Sequence, residues 1–198
     1  HFMKLLLPYF IILIVVIQLK LHKKSDKNSI SDFLDRETKA NSTRKKDISN
    51  LNYITIPDSL PLINTEDSNI LRAYDVINSM RNRKIVNLSG MSNTDIKLEY
   101  GVANLPVLTE YDDNFTTLVR ALNTAGTGLI KAGHTKEGCE ILEYAILNGS
   151  DIKATYVALA DYYQSVNNRE GIDKLLMYAN AIQSPSGARI KDYLKLLY

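Results

Sequence analysis

Few side chains in this chain belong to the types that do covalent or metal chemistry, so their sequence neighbours decide what each can do. The single cysteine, Cys139, has only His134 and Lys136 close by to lower its pKa, and it lies among Gly138, Ile141 and Leu142. A thiol on an apolar helical stripe reads as a buried, inert group rather than a nucleophile, and one cysteine permits no intramolecular disulfide. The three histidines, His1, His22 and His134, fall two in the N-terminal region and one at a turn, and no His/Glu or Cys/His spacing around them suggests a metal site. Asp112 and Asp113 would serve acid–base catalysis only if a pocket held both; next to an apolar helical run they read instead as negative charge at a helix start. Gly126-Thr127-Gly128 has phosphate-loop composition but no strand before it, and it reads as helix interior. Neither a catalytic constellation nor a cofactor is expected.

Composition and charge narrow the classes further. At 198 residues, 45% hydrophobic and 23% charged, the chain has room for one globular domain of about 100–150 residues plus appendages. The net charge of +2 conceals an asymmetry: Lys20 to Asp47 holds nine Lys/Arg against five acids, whereas the remainder from residue 48 holds 14 bases and 17 acids. A nucleic-acid binder concentrates its bases on the folded module, and this chain does the reverse. The N-x-Ser/Thr sequons at Asn41, Asn87, Asn114 and Asn148 are about what this Asn- and Ser-rich composition produces by chance.

Residues 4–21 contain an apolar run, Leu5 to Leu21, interrupted by Pro8, Gln18 and Lys20. As a helix rising about 1.5 Å per residue it is roughly 26 Å long, near the lower limit for crossing a hydrocarbon core of about 30 Å, and Lys20 can snorkel to the interface. A cleaved signal peptide would end at small residues, yet Gln18 to Lys24 supplies none. The run therefore reads as an uncleaved transmembrane anchor. Its C-terminal side offers Lys20, Lys23, Lys24, Lys27 and Arg36 while its N-terminal side offers Lys4 and the amino group, so the positive-inside rule places the C-terminal part in the cytoplasm.

Residues 22–50 read as a polar juxtamembrane stalk, within which Ile30, Phe33, Leu34 and Glu37 have the spacing of one helical face over about 31–40. The cluster Arg44-Lys45-Lys46 invites docking on anionic lipid, but the interleaved acids favour a solvated spacer. Residues 51–112 read as a helical and irregular cap. Pro57 and Pro61 forbid a regular helix at first, a helix then opens at Thr65 to Ser68 and carries Ile70, Leu71, Tyr74, Ile77 and Met80, and a short one capped by Asn93 or Thr94 follows. Leu105 to Leu108 reads as extended chain or a single turn, with the next helix capped by Asp113 or Asn114.

Residues 113–198 carry the clearest pattern. Displacing the sequence by 34 residues pairs Leu122 with Tyr156, Ala125 with Leu159, Leu129 with Tyr163, Ile141 with Leu175, Leu142 with Leu176, Tyr144 with Tyr178 and Ala145 with Ala179. Gly133 and Gly149 punctuate the first copy, Asn167 replaces the turn glycine in the second, and Ser150 or Asp151 is the expected cap between them. A last amphipathic stretch carries Ile190, Tyr193, Leu194 and Leu197. On these residues the region resembles the tetratricopeptide repeat, whose period is about 34 and whose helical hairpins must stack to bury their apolar faces. Gly126, Ala160, Ala145 and Ala179 match the family's small residues, while Ile172 stands where the family favours alanine.

The resemblance implies an all-α, tetratricopeptide-like superhelical domain closed by a C-terminal capping helix, with a concave face of A helices that binds extended peptides. Carried over to this chain, that face would offer Arg120, Asn123, Thr127 and Lys131, then Val157, Asp161, Gln164 and Ser165, then Lys191 and Lys195. The pattern by which co-chaperone members clamp a terminal carboxylate is incomplete, since Thr127 and Asp161 interrupt it. The expected function is a single-pass, membrane-anchored adaptor or scaffold at the cell membrane that binds a protein or peptide partner and no nucleic acid. The rival expectations are an enzyme or small-ligand protein using the 85–111 stretch, and an envelope scaffold of opposite orientation.

Overall fold

The structure, a computed structural model, describes residues 30–197. The expected anchor at 4–21 lies outside the described residues, and among those described no helix is long and apolar enough to cross a membrane. The regular structure of the described residues is helical, without a strand. Two units can be distinguished, one formed by 30–46 with 92–104 and the other by 47–91 with 105–197.

In the first unit, helix α1 (30–42) and helix α3 (Asn93–Tyr100) are tied by charge. Arg36 pairs with Asp95 and Lys97 with Glu37, and Thr94 Oγ1 donates to Glu37 Oε2 at 2.7 Å. Part of the stretch expected as a stalk is therefore built into folded structure. The cap of α3 is Ser92, not Asn93 or Thr94: its hydroxyl accepts from the Asp95 N–H, and the Asp95 carboxylate accepts in return from the Ser92 N–H. This reciprocal box needs an acid three residues after the cap, which Ser92 has. A 3-10 turn, Val102–Asn104, follows, and buried Asn104 donates to the carbonyls of Lys46 and Tyr100 at 2.9 and 2.6 Å.

The second unit begins with a non-helical strap that buries Ile54, Ile56 and Leu60 against helix α2, Ser68–Met80. Asp67 caps α2 by accepting from the N–H groups of Asn69 and Ile70. Arg81 fastens the strap, donating to the carbonyls of Ile56 and Pro57 at 3.2 Å.

Helix α4 runs from Leu105 to Lys131, so the expected cap at Asp113 or Asn114 and the expected extended segment at Leu105 to Leu108 are both corrected. Pro106 stands in the first turn, where a missing N–H costs nothing, and burial of Leu108 and Phe115 continues one apolar face through Asp112 and Asp113. Those two acids are thus mid-helix.

Helix α5 (Thr135–Leu147) and helix α7 (Arg169–Ala181) are each 13 residues long and start 34 positions apart; α6 (Lys153–Ser165) precedes α7, and α8 (Ser186–Lys195) follows it. The turn after α4 uses Gly133 at φ 91°, and the turn after α6 uses Asn167 at φ 53°, the left-handed backbone that these two residue types tolerate best. The start of α6 corrects a second expected cap. Ile152 holds the cap position without a side-chain bond, Ser150 is fully buried beside it, and Asp151 accepts from Ser184 Oγ at 2.6 Å instead. One core joins the strap, α2, α4 and α5, and a second joins α5 to α8.

Candidate functional site

Helices α4 and α6 flank an open groove of about 900 Å³. Its floor is apolar, with Ile130, Val157, Ala158 and the ring of Tyr162, and its rim carries Lys131, Lys153 and Asp161. Residues four apart on a helix share a face, so Asn123, Thr127 and Lys131 line one wall, while Lys153, Val157, Asp161 and Ser165 line the other.

Several of these polar groups already have partners within the chain. Asn123 Oδ1 accepts from the hydroxyl of fully buried Thr155 at 3.0 Å. Thr127 Oγ1 donates to the Asn123 carbonyl at 2.6 Å, back onto its own helix. Asp161 Oδ1 accepts from Tyr193 Oη at 3.3 Å, and the Lys153 ammonium stands 5.4 Å from the centre of the Tyr193 ring. Burial, reinforced by the Asp161 charge, raises the Tyr193 phenol above its ordinary range. Lys131 extends from the exposed end of α4. The lining thus holds two cations against one anion, with an apolar strip between them.

The groove gathers six of the residues expected at the binding face: Asn123, Thr127, Lys131, Val157, Asp161 and Ser165. Arg120 lies about one turn before Asn123, exposed and outside the lining. Gln164 lines a separate hollow with Asn167, Asn168 and Ile172. Lys191 and Lys195 are on α8, apart from the groove lining. The resemblance selected one stripe per helix, whereas a groove takes residues from both flanks. This is how Ile130, Thr135, Lys153, Ala158 and Tyr162 were missed. Lys153 carried a signal, since it stands four residues before Val157 and eight before Asp161 on one helical face.

Two other regions bear on chemistry. On the side of α5 and α7, a hollow of about 390 Å³ is bordered by Glu143, Tyr163, Lys174 and Tyr178. Tyr163 Oη donates to Glu143 Oε1 at 2.6 Å; burial first, and then Glu143, push the Tyr163 phenol far above its usual range. Nearby Cys139 is buried, and loss of solvation pushes its thiol up to about 11, which keeps it protonated at neutral pH. In the 85–111 stretch, the Leu88 N–H donates to Asp112 Oδ1 at 2.8 Å. Burial raises the Asp112 carboxyl, but Asp112 does not line the hollow of about 330 Å³ formed by Asn87, Leu88, Met91, Gly149 and Ile182. Among the described residues no group of three His, Cys, Asp or Glu is placed to hold a metal ion. Comparison with protein-family models, with curated proteins and with solved structures finds no match to this chain.

Proposed function

We propose that this protein is a membrane-anchored adaptor that uses a tetratricopeptide-like stack of helices to hold an extended peptide segment of a partner protein. The observation that carries this reading is the α4–α6 groove, with an apolar strip long enough for several side chains and Lys131 and Lys153 on its rim. A pocket for a small substrate is enclosed and converges polar groups on one point; this groove is open and spreads them along two helices. Its charge suits a peptide with acidic residues flanking an apolar one. The apolar run at 4–21 and the bases after it support a single span with the helical region on the cytoplasmic side.

The test is site-specific photo-crosslinking in native membranes. A photoreactive residue at Val157 captures one partner, a second at Met177 on α7 does not, and Lys131→Glu with Lys153→Glu lowers the capture at Val157 at least severalfold while unfolding is unchanged. Equal capture at both positions, or capture indifferent to the charge reversals, rejects the groove. Orientation is read by impermeant thiol labelling of a cysteine placed at Ser25 in intact cells, with Cys139 buried and silent; labelling there reverses the topology.

A further inference from the structure

One face of α1 has different surroundings at its two ends. Toward the C-terminus it turns Ala40 fully inward and directs Glu37 at Thr94 and Lys97 of α3. One and two turns earlier the same face presents Ile30, Phe33 and Leu34, which are 60%, 61% and 56% exposed. Spacing of three and four residues puts this trio on one side, while Asp32, Asp35 and Lys39, all exposed, occupy the opposite side. The face that packs on α3 thus continues beyond it as an apolar surface that is exposed among the described residues.

Chain position identifies what covers it. Ile30 follows the apolar run that ends at Leu21 by only eight intervening residues. Even fully extended, at about 3.3–3.6 Å each, these span no more than about 30 Å. Any bilayer that holds the run therefore keeps α1 within reach of its interface, and docking becomes an intramolecular step. The intervening residues include His22, Lys23, Lys24 and Lys27 against the single acid Asp26, a charge that suits anionic headgroups. A second copy of the chain is a poorer fit, because a stable protein interface takes about 20–30 residues a side and this surface supplies three.

We propose that the part of α1 carrying Ile30, Phe33 and Leu34 is an interfacial helix, with these three side chains seated at the boundary between headgroups and acyl chains of an anionic bilayer, and Asp32 and Asp35 turned to water. This rests on the anchor in the proposed function. It adds that the membrane contact does not end at the span, and that the α1–α3 unit lies against the bilayer.

The chain contains no tryptophan, so a single introduced indole reports its own surroundings. Full-length Phe33→Trp and, separately, Asp35→Trp are reconstituted into vesicles of phosphatidylcholine and phosphatidylglycerol, with and without acyl chains brominated near the headgroup. Emission of the Phe33→Trp chain should shift to the blue and be quenched about twofold or more by the brominated lipid, as for a side chain about 5–10 Å into the interface, while the Asp35→Trp chain shows neither effect. Adding Ile30→Ser and Leu34→Ser to the Phe33→Trp chain should bring quenching down to the level of the Asp35→Trp chain without releasing the protein from floated vesicles. A Phe33→Trp chain that floats but is not quenched overturns the interfacial helix and leaves the anchor standing. A blue shift without bromine quenching assigns the trio to a protein contact and overturns it equally. A chain that does not float with the vesicles removes the anchor, and the interfacial helix with it.

Discussion

In the hairpin of α4 and α5 the two backbones meet at Gly126 and Gly138, whereas in the hairpin of α6 and α7 the positions 34 residues on hold Ala160 and Ile172. A methyl group at Gly138 would stand 2.6 Å from the Gly126 carbonyl oxygen, and one at Gly126 would stand 2.6 Å from the Leu142 side chain. The second hairpin brings a ring into the crossing: a methyl at Gly171 would stand 2.7 Å from the ring of Tyr163, whose hydroxyl then reaches back to Glu143 on α5. One period thus supports two packings. The period decides which positions face inward, and the size of the side chain at the crossing decides how close the helices come and what fills the gap.

The sharpest way to break this comparison is Gly138→Ala. Helix propensity alone predicts a gain of about 1 kcal/mol. The contact with the Gly126 carbonyl predicts a net loss of about 1–3 kcal/mol, because backbone cannot swing aside as a side chain can. A urea midpoint that rises would show that the first hairpin has no closer crossing than the second.

Alkaline pH should separate the two cores next. The core of α5 to α8 holds Cys139, pushed up to about 11 from 9.0, and Tyr156 and Tyr163, both raised chiefly by burial; Tyr74 and Tyr144 of the other core are raised more modestly. For each, the unfolded chain gives up its proton first. Their stabilisation is therefore complete below the unfolded pKa and is lost as pH rises toward the folded one. The thermal midpoint should fall from about pH 9, and Cys139→Val should move the onset to about pH 10. A midpoint flat between pH 9 and pH 11 would contradict this burial.

Thr155→Val probes the joint between the hairpins. It keeps the shape but removes the donor to Asn123, for an expected loss of about 1 kcal/mol, since half-buried Asn123 can turn to water. A double-mutant cycle with Asn123→Ala should return a coupling of at least about 0.5 kcal/mol, and a zero would mean that this hydrogen bond does not join α4 to α6. Smallest of all is Lys174→Ala. Its bond to Glu170 at 2.8 Å lies on the exposed face of α7, in contrast to the buried crossing of α4 and α5, and its loss should leave the unfolding midpoint unmoved.

The legibility of the chain followed the range of the interactions. The bounds of α5, the turns at Gly133 and Asn167 and the inward side of α5 on which Cys139 stands depend on residues within a turn or two, and each was readable. The caps at Ser92 and before α6, and the long start of α4, were not. For α4 and α6 the alternatives differed little locally, and burial of Leu108, Phe115 and Ser150 settled them; at Ser92 the signal was local, the acid Asp95 three residues on, and the neighbouring Asn93 and Thr94 masked it. In the groove, the positions on α4 and α6 were readable as a face. Their occupancy by internal partners was not, because Thr155 and Tyr193 arrive from 32 residues away in each case.

By itself, then, the sequence determined the helical period, the positions that face inward and the separation of a basic N-terminal stretch from an acidic remainder, since all of these follow from local spacing and composition. Tertiary structure decided which of the expected face residues stand together, that Asn123 and Asp161 are held by Thr155 and Tyr193, and that α1 is bound to α3 while Ile30, Phe33 and Leu34 stay uncovered. The physical reason is that a side chain's place on its helix is set by the helix, but its partner is set by whichever segment packs against it.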